Sequence, residues 1–572
     1  MDRSGYGTSP TASAYLLNLL ERRMDQLREV APEPVPAYYV QSENGPITNL
    51  PPNFDNTNLS DDDFLDTDEA GNLVITEGAH AYHDMINSNS ENVDDMEDYD
   101  FDNYYPLHPV SSSTYHELCY LATHSLPVLG TFFSQYLIQI LIPAYFASQL
   151  GSLYMSAWTL SVTTFYLTGP VLINGFTSSL DTLCSTAYGA RHFHKVGHYY
   201  LQCLIILLVC MIPSMIFWSN SFPFFNYIIN ISFPNDYELA NLCTSFLFTL
   251  TFVTPALVIF ECTKRFLQSQ CKFSVPTRVV VCGMLISILL NWYLGKLTSV
   301  IDILDPIQVP AISFVITYWI MASSLVLYVL YIDGYQCLPP SQDVRSWRLL
   351  PFLKTSTIFF KLGLPGIFMI FSESFAFQII TFLSTTFSKD QLAAQSIVQT
   401  LASLAFQPPF AVGICCSIHV ANLIGARSSN YKPAMKAIYI LMILLSCFNF
   451  SWFFIFKMKM IKCFTDDEAI INVATKLAAI VAINQFLDCF NIICAAVLRG
   501  QGRQKIGSIL SIISYYLVGV PLEIYLAFSK EMEIYGLWTG LAVAVGFLSI
   551  IELTVVRNSD WHNIIRNNHK LA

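Results

Sequence analysis

Polar positions dominate roughly the first hundred residues, and long apolar runs dominate everything after them. From residue 118 onward, stretches long enough to cross a hydrocarbon core of ~30 Å recur to the end of the chain. They fall near 123–147, 154–180, 196–218, 239–261, 274–294, 310–332, 361–385, 391–422, 434–456, 470–497, 506–528 and 534–556. Twelve transmembrane helices are expected, because a helix satisfies its own backbone groups inside lipid. Spans two, eight and ten are long, which predicts tilt or extension beyond the bilayer.

The positive-inside rule gives an independent test of that count. Connections after even-numbered spans, with the C-terminus, carry nineteen Lys and Arg, among them Arg191, Lys264, Arg265, Arg427, Arg499 and Arg557. Connections after odd-numbered spans carry six. Both termini are therefore expected in the cytosol. Asn230-Ile231-Ser232 then falls outside and is a candidate glycan acceptor, whereas Asn58-Leu59-Ser60 falls inside.

Composition agrees with a lipid-facing surface. The 572 residues are 53% hydrophobic and 13% charged, against roughly 25% charged in soluble domains. The net charge of −12 hides two regimes: residues 1–117 hold 23 Asp and Glu against 4 Lys and Arg, and the remainder carries a net +7. An acidic tail and loop-borne basic residues disfavour a nucleic-acid partner. The tail, with Asp61-Asp62-Asp63 and Asp94-Asp95-Met96-Glu97-Asp98, is too polar to offset its ordering entropy and is expected to be largely disordered. A short helix is conceivable over 12–30. The fifteen cysteines show no regular framework, and no metal site or cofactor is expected. Most, including Cys203, Cys210, Cys282, Cys415, Cys416 and Cys447, lie in apolar runs and read as packing residues.

The membrane part repeats itself. Leu126-Pro127 in span one matches Leu364-Pro365 in span seven at an offset of 238, followed by Ser134-Gln135 against Ser372-Glu373. Gly189-Ala190-Arg191 after span two matches Gly425-Ala426-Arg427 after span eight at 236, and Arg265 matches Arg499 at 234. Six spans per copy is an even number, so the copies share one orientation. The expected fold is an all-α polytopic membrane protein of two pseudo-symmetric six-helix bundles around a central cleft. The domains are an acidic tail (1–117), a first bundle (118–332), a cytosolic linker (333–360), a second bundle (361–556) and a C-terminal tail (557–572).

Acids within spans are costly, roughly 2.5–3.5 kcal/mol at a helix centre on insertion scales, and usually face a cavity. Glu373 and Asp488 lie near the middle of spans seven and ten. One reading makes them sites that exchange a proton or bind a cation; the other locks them in hydrogen bonds between helices. Asp181, beside Arg191, reads as an interfacial cap or ion pair, and Glu261, beside Lys264 and Arg265, as more interfacial still. Position alone does not separate cavity from interface for Glu523 and Glu552. Prolines 127, 143, 170, 255, 365, 408, 409 and 521 are expected to bend helices.

Three motifs carry a resemblance. Leu180-Asp181-Thr182-Leu183-Cys184 runs on to Ala187-Tyr188-Gly189-Ala190; Ala394-Gln395-Ser396-Ile397-Val398 lies in span eight; and Val497-Leu498-Arg499-Gly500-Gln501-Gly502-Arg503-Gln504-Lys505-Ile506-Gly507 leads to Tyr515-Tyr516-Leu517-Val518-Gly519-Val520-Pro521. Together they resemble the multidrug and toxic compound extrusion family, in its eukaryotic branch, with a long acidic tail similar to fungal members. The resemblance covers most of 118–556. It implies proton- or sodium-driven export of mostly cationic organic compounds. It also implies a coupling glutamate in helix seven, matched by Glu373, and an acid in helix ten, matched by Asp488. Two family acids are absent: their positions hold Gln378 and Thr400, which makes neutral, zwitterionic or weakly basic substrates more credible. Gln135, Gln378, Thr400, Asn491 and Tyr515 are the candidates to line the substrate cleft.

The expected function is thus a monomeric antiporter in the plasma or vacuolar membrane, exchanging protons for a cationic or neutral organic solute, with sodium as the alternative ion. A flippase for a lipid or lipid-linked substrate would need a strongly cationic cleft, and the spans offer few Lys or Arg. A membrane enzyme would need a catalytic histidine set, yet His124 and His419 have no adjacent acid in sequence. A channel fits poorly with the two-bundle repeat.

Overall fold

The computed structural model describes residues 65–67, 73–75, 113–232, 237–298, 305–339 and 349–569. The rest of the acidic tail, the expected helix over 12–30, and Asn58, Arg345, Arg348 and Lys570 lie outside the described residues. The chain divides into two compact units. In the smaller, Val30–Pro106, β1 (Leu65–Thr67) pairs antiparallel with β2 (Leu73–Ile75), Leu65 opposite Ile75. All that follows concerns the larger unit.

That unit is a set of long helices: α1 (Thr114–Leu150), α2a (Ser152–Thr168), α2b (Pro170–Gly189), α3 (Phe193–Ser219), α4a (Tyr237–Thr251), α4b (Thr254–Ser269), α5 (Ser274–Thr298), α6 (Gln308–Tyr331), α7 (Leu349–Ser384), α8 (Lys389–Gly425), α9 (Tyr431–Lys462), α10 (Glu468–Gly500), α11 (Gln504–Ser529) and α12 (Glu533–Arg557). A short helix over Trp561–His569 follows. Ten of these elements are long and apolar enough to cross a membrane, eleven with the α4a–α4b pair, which bends by 50°. The twelfth expected span is divided at Gly169-Pro170 and rich in Ser and Thr along α2b, so length and hydropathy alone do not single it out.

The breaks follow backbone chemistry. Pro170 and Pro255 open the second segments of the two divided spans, where a missing N–H costs nothing. Pro143 and Pro521 adjoin π-helical stretches, Leu137–Leu141 in α1 and Ile513–Gly519 in α11. The repeated Pro127 and Pro365 lie inside α1 and α7. Starts are capped by polar side chains: the Ser113 hydroxyl accepts from the Tyr115 amide, and the Asp467 carboxylate accepts from Ala469 at 2.9 Å. After spans two, four, eight and ten the chain turns through left-handed residues, Arg191, Cys271, Arg427 and Gly502, with φ of 61°, 61°, 47° and 68°.

These four turns mark the end at which the two halves meet. There α1 and α2b pack against α7, α8 and α9, with close approaches of Gly175 to the Ile367 backbone and of Gly363 to the Phe176 ring. The Asn422 amide reaches the Cys271 sulfur at 3.5 Å, and His419 pairs with Glu117 at 2.7 Å, both across the halves. The opposite portions, Ile142–Leu150 and α4a, make their main contacts within the first half. The outer faces are apolar: Leu285, Leu289 and Trp292 on α5 and Leu444, Phe448 and Ile455 on α9 are exposed, as a lipid-facing surface requires. None of the fifteen cysteines forms a disulfide; Cys203, Cys415 and Cys416 pack inside, whereas Cys210, Cys282 and Cys447 lie on exposed surface.

Candidate functional site

Glu373 sits two turns beyond Pro365 on α7 and is half-buried. Its carboxylate interacts electrostatically with Asp488 and Arg499 of α10 and Glu552 of α12. From the first half, Tyr166 of α2a stands beside Glu373 and Ser374. Asp488 is buried; one oxygen accepts from the Asn491 amide at 3.5 Å, the limit of a hydrogen bond, and the other has no partner. The π-helical turn of α11 brings in Tyr515, whose buried hydroxyl makes no hydrogen bond of ordinary geometry, although Asn491 stands beside it, and interacts with Glu373, Asp488 and Glu552. Leaving a buried polar atom unmatched costs about 1–3 kcal/mol. Buried titratable groups gathered with unmatched polar atoms make this group the candidate for ligand or proton chemistry.

Of the sequence candidates, Glu373, Asp488, Asn491 and Tyr515 thus come together. Gln378 lies five residues past Glu373 on α7 and is half-buried. Thr400 is half-buried on α8 and donates within its own helix to the Ser396 carbonyl at 2.9 Å. Gln135 belongs to a different cluster. Asn230 lies in the last turn of the helix over Phe222–Ser232, its amide donating to Asn226 at 3.1 Å, away from these groups.

The first half holds its own buried charges. The Lys264 ammonium meets Glu261 at 2.6 Å and donates to Gln135 at 3.1 Å, while Gln135 donates to Glu261 at 2.9 Å. Lys264 also stands 5.0 Å from the centre of the Phe132 ring. Asp181 pairs with Arg265 at 2.9 Å, both side chains buried. Beside these groups, Gln139 of α1 donates to the Tyr318 hydroxyl at 2.6 Å, and a cavity of about 20 Å³ lies among Gln139, Trp158, Phe165, Tyr166, Phe246 and Phe314.

Several expectations are corrected here. Asp181 and Glu261 are not interfacial: both are within 2% of complete burial and are paired with Arg265 and Lys264, and Asp181 has no bond to Arg191. Lys264, Arg265 and Arg499, counted among loop cations, are buried on helices. The excess of Lys and Arg after even-numbered spans survives their removal. The ends of α4b and α10 thus hold buried cations, contrary to expectation, with Lys264 and Arg265 each matched by an acid. Glu552 and Glu523 are both buried with neither oxygen bonded; Glu552 joins the Glu373 group, while Glu523 packs against Gly540 of α12. No local signal separated these two, since both follow apolar residues near span ends.

Fold and site together define a twelve-helix membrane transporter of two packed bundles. A family model described as MatE matches residues 127–293 and 365–525. The chain belongs to the MatE family. An uncharacterized transporter of Saccharomyces cerevisiae is 32% identical over 454 residues, covering 78% of this chain and 62% of that one, so the match spans under two thirds of that relative's length. Multidrug and toxin extrusion protein 1 of Homo sapiens is 26% identical over 434 residues, covering 73% of this chain and 71% of its own. The crystal structure of the eukaryotic MATE transporter AtDTX14 superposes with a TM-score of 0.68 at 24% identity, covering 80% of this chain and 98% of that one. That likeness concerns the fold.

Proposed function

We propose that this chain is a proton-driven antiporter that exports small organic compounds by alternating access, with Glu373 and Asp488 taking up and releasing the coupling proton. The observation that carries this reading is the group of Glu373, Asp488 and Tyr515, in which an aspartate oxygen and a phenol make no hydrogen bond of ordinary geometry. A proton on either carboxylate removes a like-charge conflict with the other, and a cationic or polar substrate does the same, so the two compete for one site. A tenfold pH gradient supplies about 1.4 kcal/mol to such an exchange. The relatives named as multidrug and toxin extrusion proteins support the substrate class. Gln378 and Thr400 leave the site with fewer charges, which favours weakly basic and neutral compounds beside cationic ones.

The cation-rich connections lie at the end where the halves are joined, and by the positive-inside rule this supports a conformation closed toward the cytosol with both termini on that side; the reading takes the plasma or vacuolar membrane as host. The test is efflux of a fluorescent organic cation from proteoliposomes under imposed proton and sodium gradients, for wild type and Glu373→Gln. Efflux driven by the proton gradient and lost in a folded Glu373→Gln supports the reading. Efflux driven by sodium alone reassigns the ion. A variant equal to wild type removes Glu373 from coupling.

A further inference from the structure

A polar cavity of about 440 Å³ opens at the end where the halves meet, between the turn after α10 and the short helix Trp561–His569. That volume falls within the ~300–1,000 Å³ of small-molecule sites. Gln501, Arg503, Asn558, Asn563, Asn567 and Asn568 line it, and Ile564 is the one apolar side chain among the lining residues. The helix is amphipathic, which builds the wall. Trp561 stacks on Tyr431 with ring centres 4.7 Å apart, and Ile564 and Ile565 are buried, leaving Asn563 and Asn567, one turn apart, exposed. The Asn568 amide donates to the Gln501 carbonyl at 2.8 Å, and Arg503 donates through Nη1 to the Ser559 hydroxyl at 2.8 Å. Gln501 is 1% exposed; its side-chain oxygen accepts from Ser559 at 3.4 Å, and its amide nitrogen has no partner among the described residues. Among the described residues Nε and Nη2 of Arg503 have none either. The one lining acid, Asp560, accepts from both the backbone N–H and the side-chain amide of Asn563. Residues 501–505 and 557–568 carry Arg503, Lys505, Arg557 and Arg566 against that single acid.

We propose that this cavity binds a phosphorylated polyol and that its occupancy fastens the two halves together. A guanidinium with two unused nitrogens suits phosphate oxygens, and the cationic surround favours an anion. Carboxamides, each both donor and acceptor, match hydroxyl groups. An apolar ligand would find only Ile564, and a cation would meet four like charges. The link to the junction is short. Gly502, with φ of 68°, lies between the cavity and the first half: a methyl there would stand 3.0 Å from the Asn568 side chain and 3.5 Å from Thr182 of α2b. On either side of Gly502, the Arg499 carbonyl accepts from the Thr182 hydroxyl at 2.6 Å, and Gln504 donates to the same hydroxyl at 3.1 Å. A ligand bridging Gln501, Arg503 and the helix Trp561–His569 therefore steadies the turn that grips α2b, and it favours the joined state by its differential affinity.

Cys271 reports on the junction, because Asn422 of the other half covers its sulfur. The experiment uses the full chain in phosphatidylcholine nanodiscs, with phosphatidylinositol phosphate in the bilayer or soluble inositol bisphosphate added. Thermal unfolding against probe concentration gives the apparent affinity, and peptide-resolved alkylation of Cys271, relative to exposed Cys119, reads the junction. Bound probe raises the unfolding temperature. Arg503→Gln, and Asn567→Glu at an exposed position, each weaken binding at least about tenfold, the worth of one charge-assisted hydrogen bond. Lys195→Gln, which removes an exposed cation of the first half, leaves the affinity unchanged. Saturating probe slows Cys271 alkylation about fivefold, the lower end of usual coupling strengths. A response to the lipid alone assigns a membrane headgroup, and one to the soluble probe a free polyol phosphate. No response to either probe, or one that Arg503→Gln and Asn567→Glu leave intact, overturns the site. Binding with an unchanged Cys271 rate overturns its hold on the junction.

Discussion

Gly189 and Gly425 meet back to back across the junction of the two halves. A side-chain methyl on Gly189 would overlap the Asn422 carbonyl, and one on Gly425 would overlap the Thr186 carbonyl. Asn422 precedes Gly425 by three residues, as Thr186 precedes Gly189, so the contact is its own mirror under the internal repeat. A pseudo-two-fold axis passes between them. The missing side chains let two helix ends approach to backbone distance, which no larger residue permits. Gly425→Ala is therefore expected to prop the junction of the two halves open. Cys271 alkylation should rise several-fold and efflux should fall; an unchanged rate would show that the junction absorbs the methyl by shifting.

Tyr515 carries a buried hydroxyl that makes no hydrogen bond of ordinary geometry. Removing such a hydroxyl is neutral or mildly stabilising, within about 1 kcal/mol. Tyr515→Phe should thus unfold at the wild-type temperature in detergent and yet transport several-fold more slowly. A fall in stability would mean that the hydroxyl has a structural partner.

The Glu261–Lys264–Gln135 cluster behaves as a unit. Lys264→Met strands a buried carboxylate, and breaking a buried pair this way costs about 3–5 kcal/mol. The double variant Glu261→Leu with Lys264→Met should recover most of that loss. A thermal-unfolding cycle in which the two changes simply add would mean that the ion pair at 2.6 Å contributes no coupling.

His419 of α8 and Glu117 of α1 join the halves at 2.7 Å, at the same end as Cys271. His419→Leu should loosen the junction and raise Cys271 alkylation about fivefold, a coupling of about 1 kcal/mol, while His419→Gln, which keeps a donor, restores closure. Equal rates in all three proteins would assign the pair to local packing.

Much of this molecule is legible one residue at a time. Twelve apolar runs, the sided distribution of Lys and Arg, and three anchors at nearly one spacing led to two six-helix bundles without any contact being known. Each is a local or periodic property, and lipid imposes helix on every such run. The same logic singled out Glu373 and Asp488, because a carboxylate in mid-span is costly wherever it faces. Asp181, Glu261, Lys264, Arg265, Arg499 and Glu552 escaped it for the opposite reason. They sit where hydropathy fades toward a span end, and there a sequence cannot distinguish a side chain reaching water from one pressed between helices. That choice depends on which face of α2b, α4b, α10 and α12 another helix covers. The pairing of Asp181 with Arg265, 84 residues apart, exists only once two helices have packed and excluded water. Composition and period thus determined the elements and their symmetry, while tertiary structure alone decided which charges are buried, because desolvation is a property of neighbours distant in the chain.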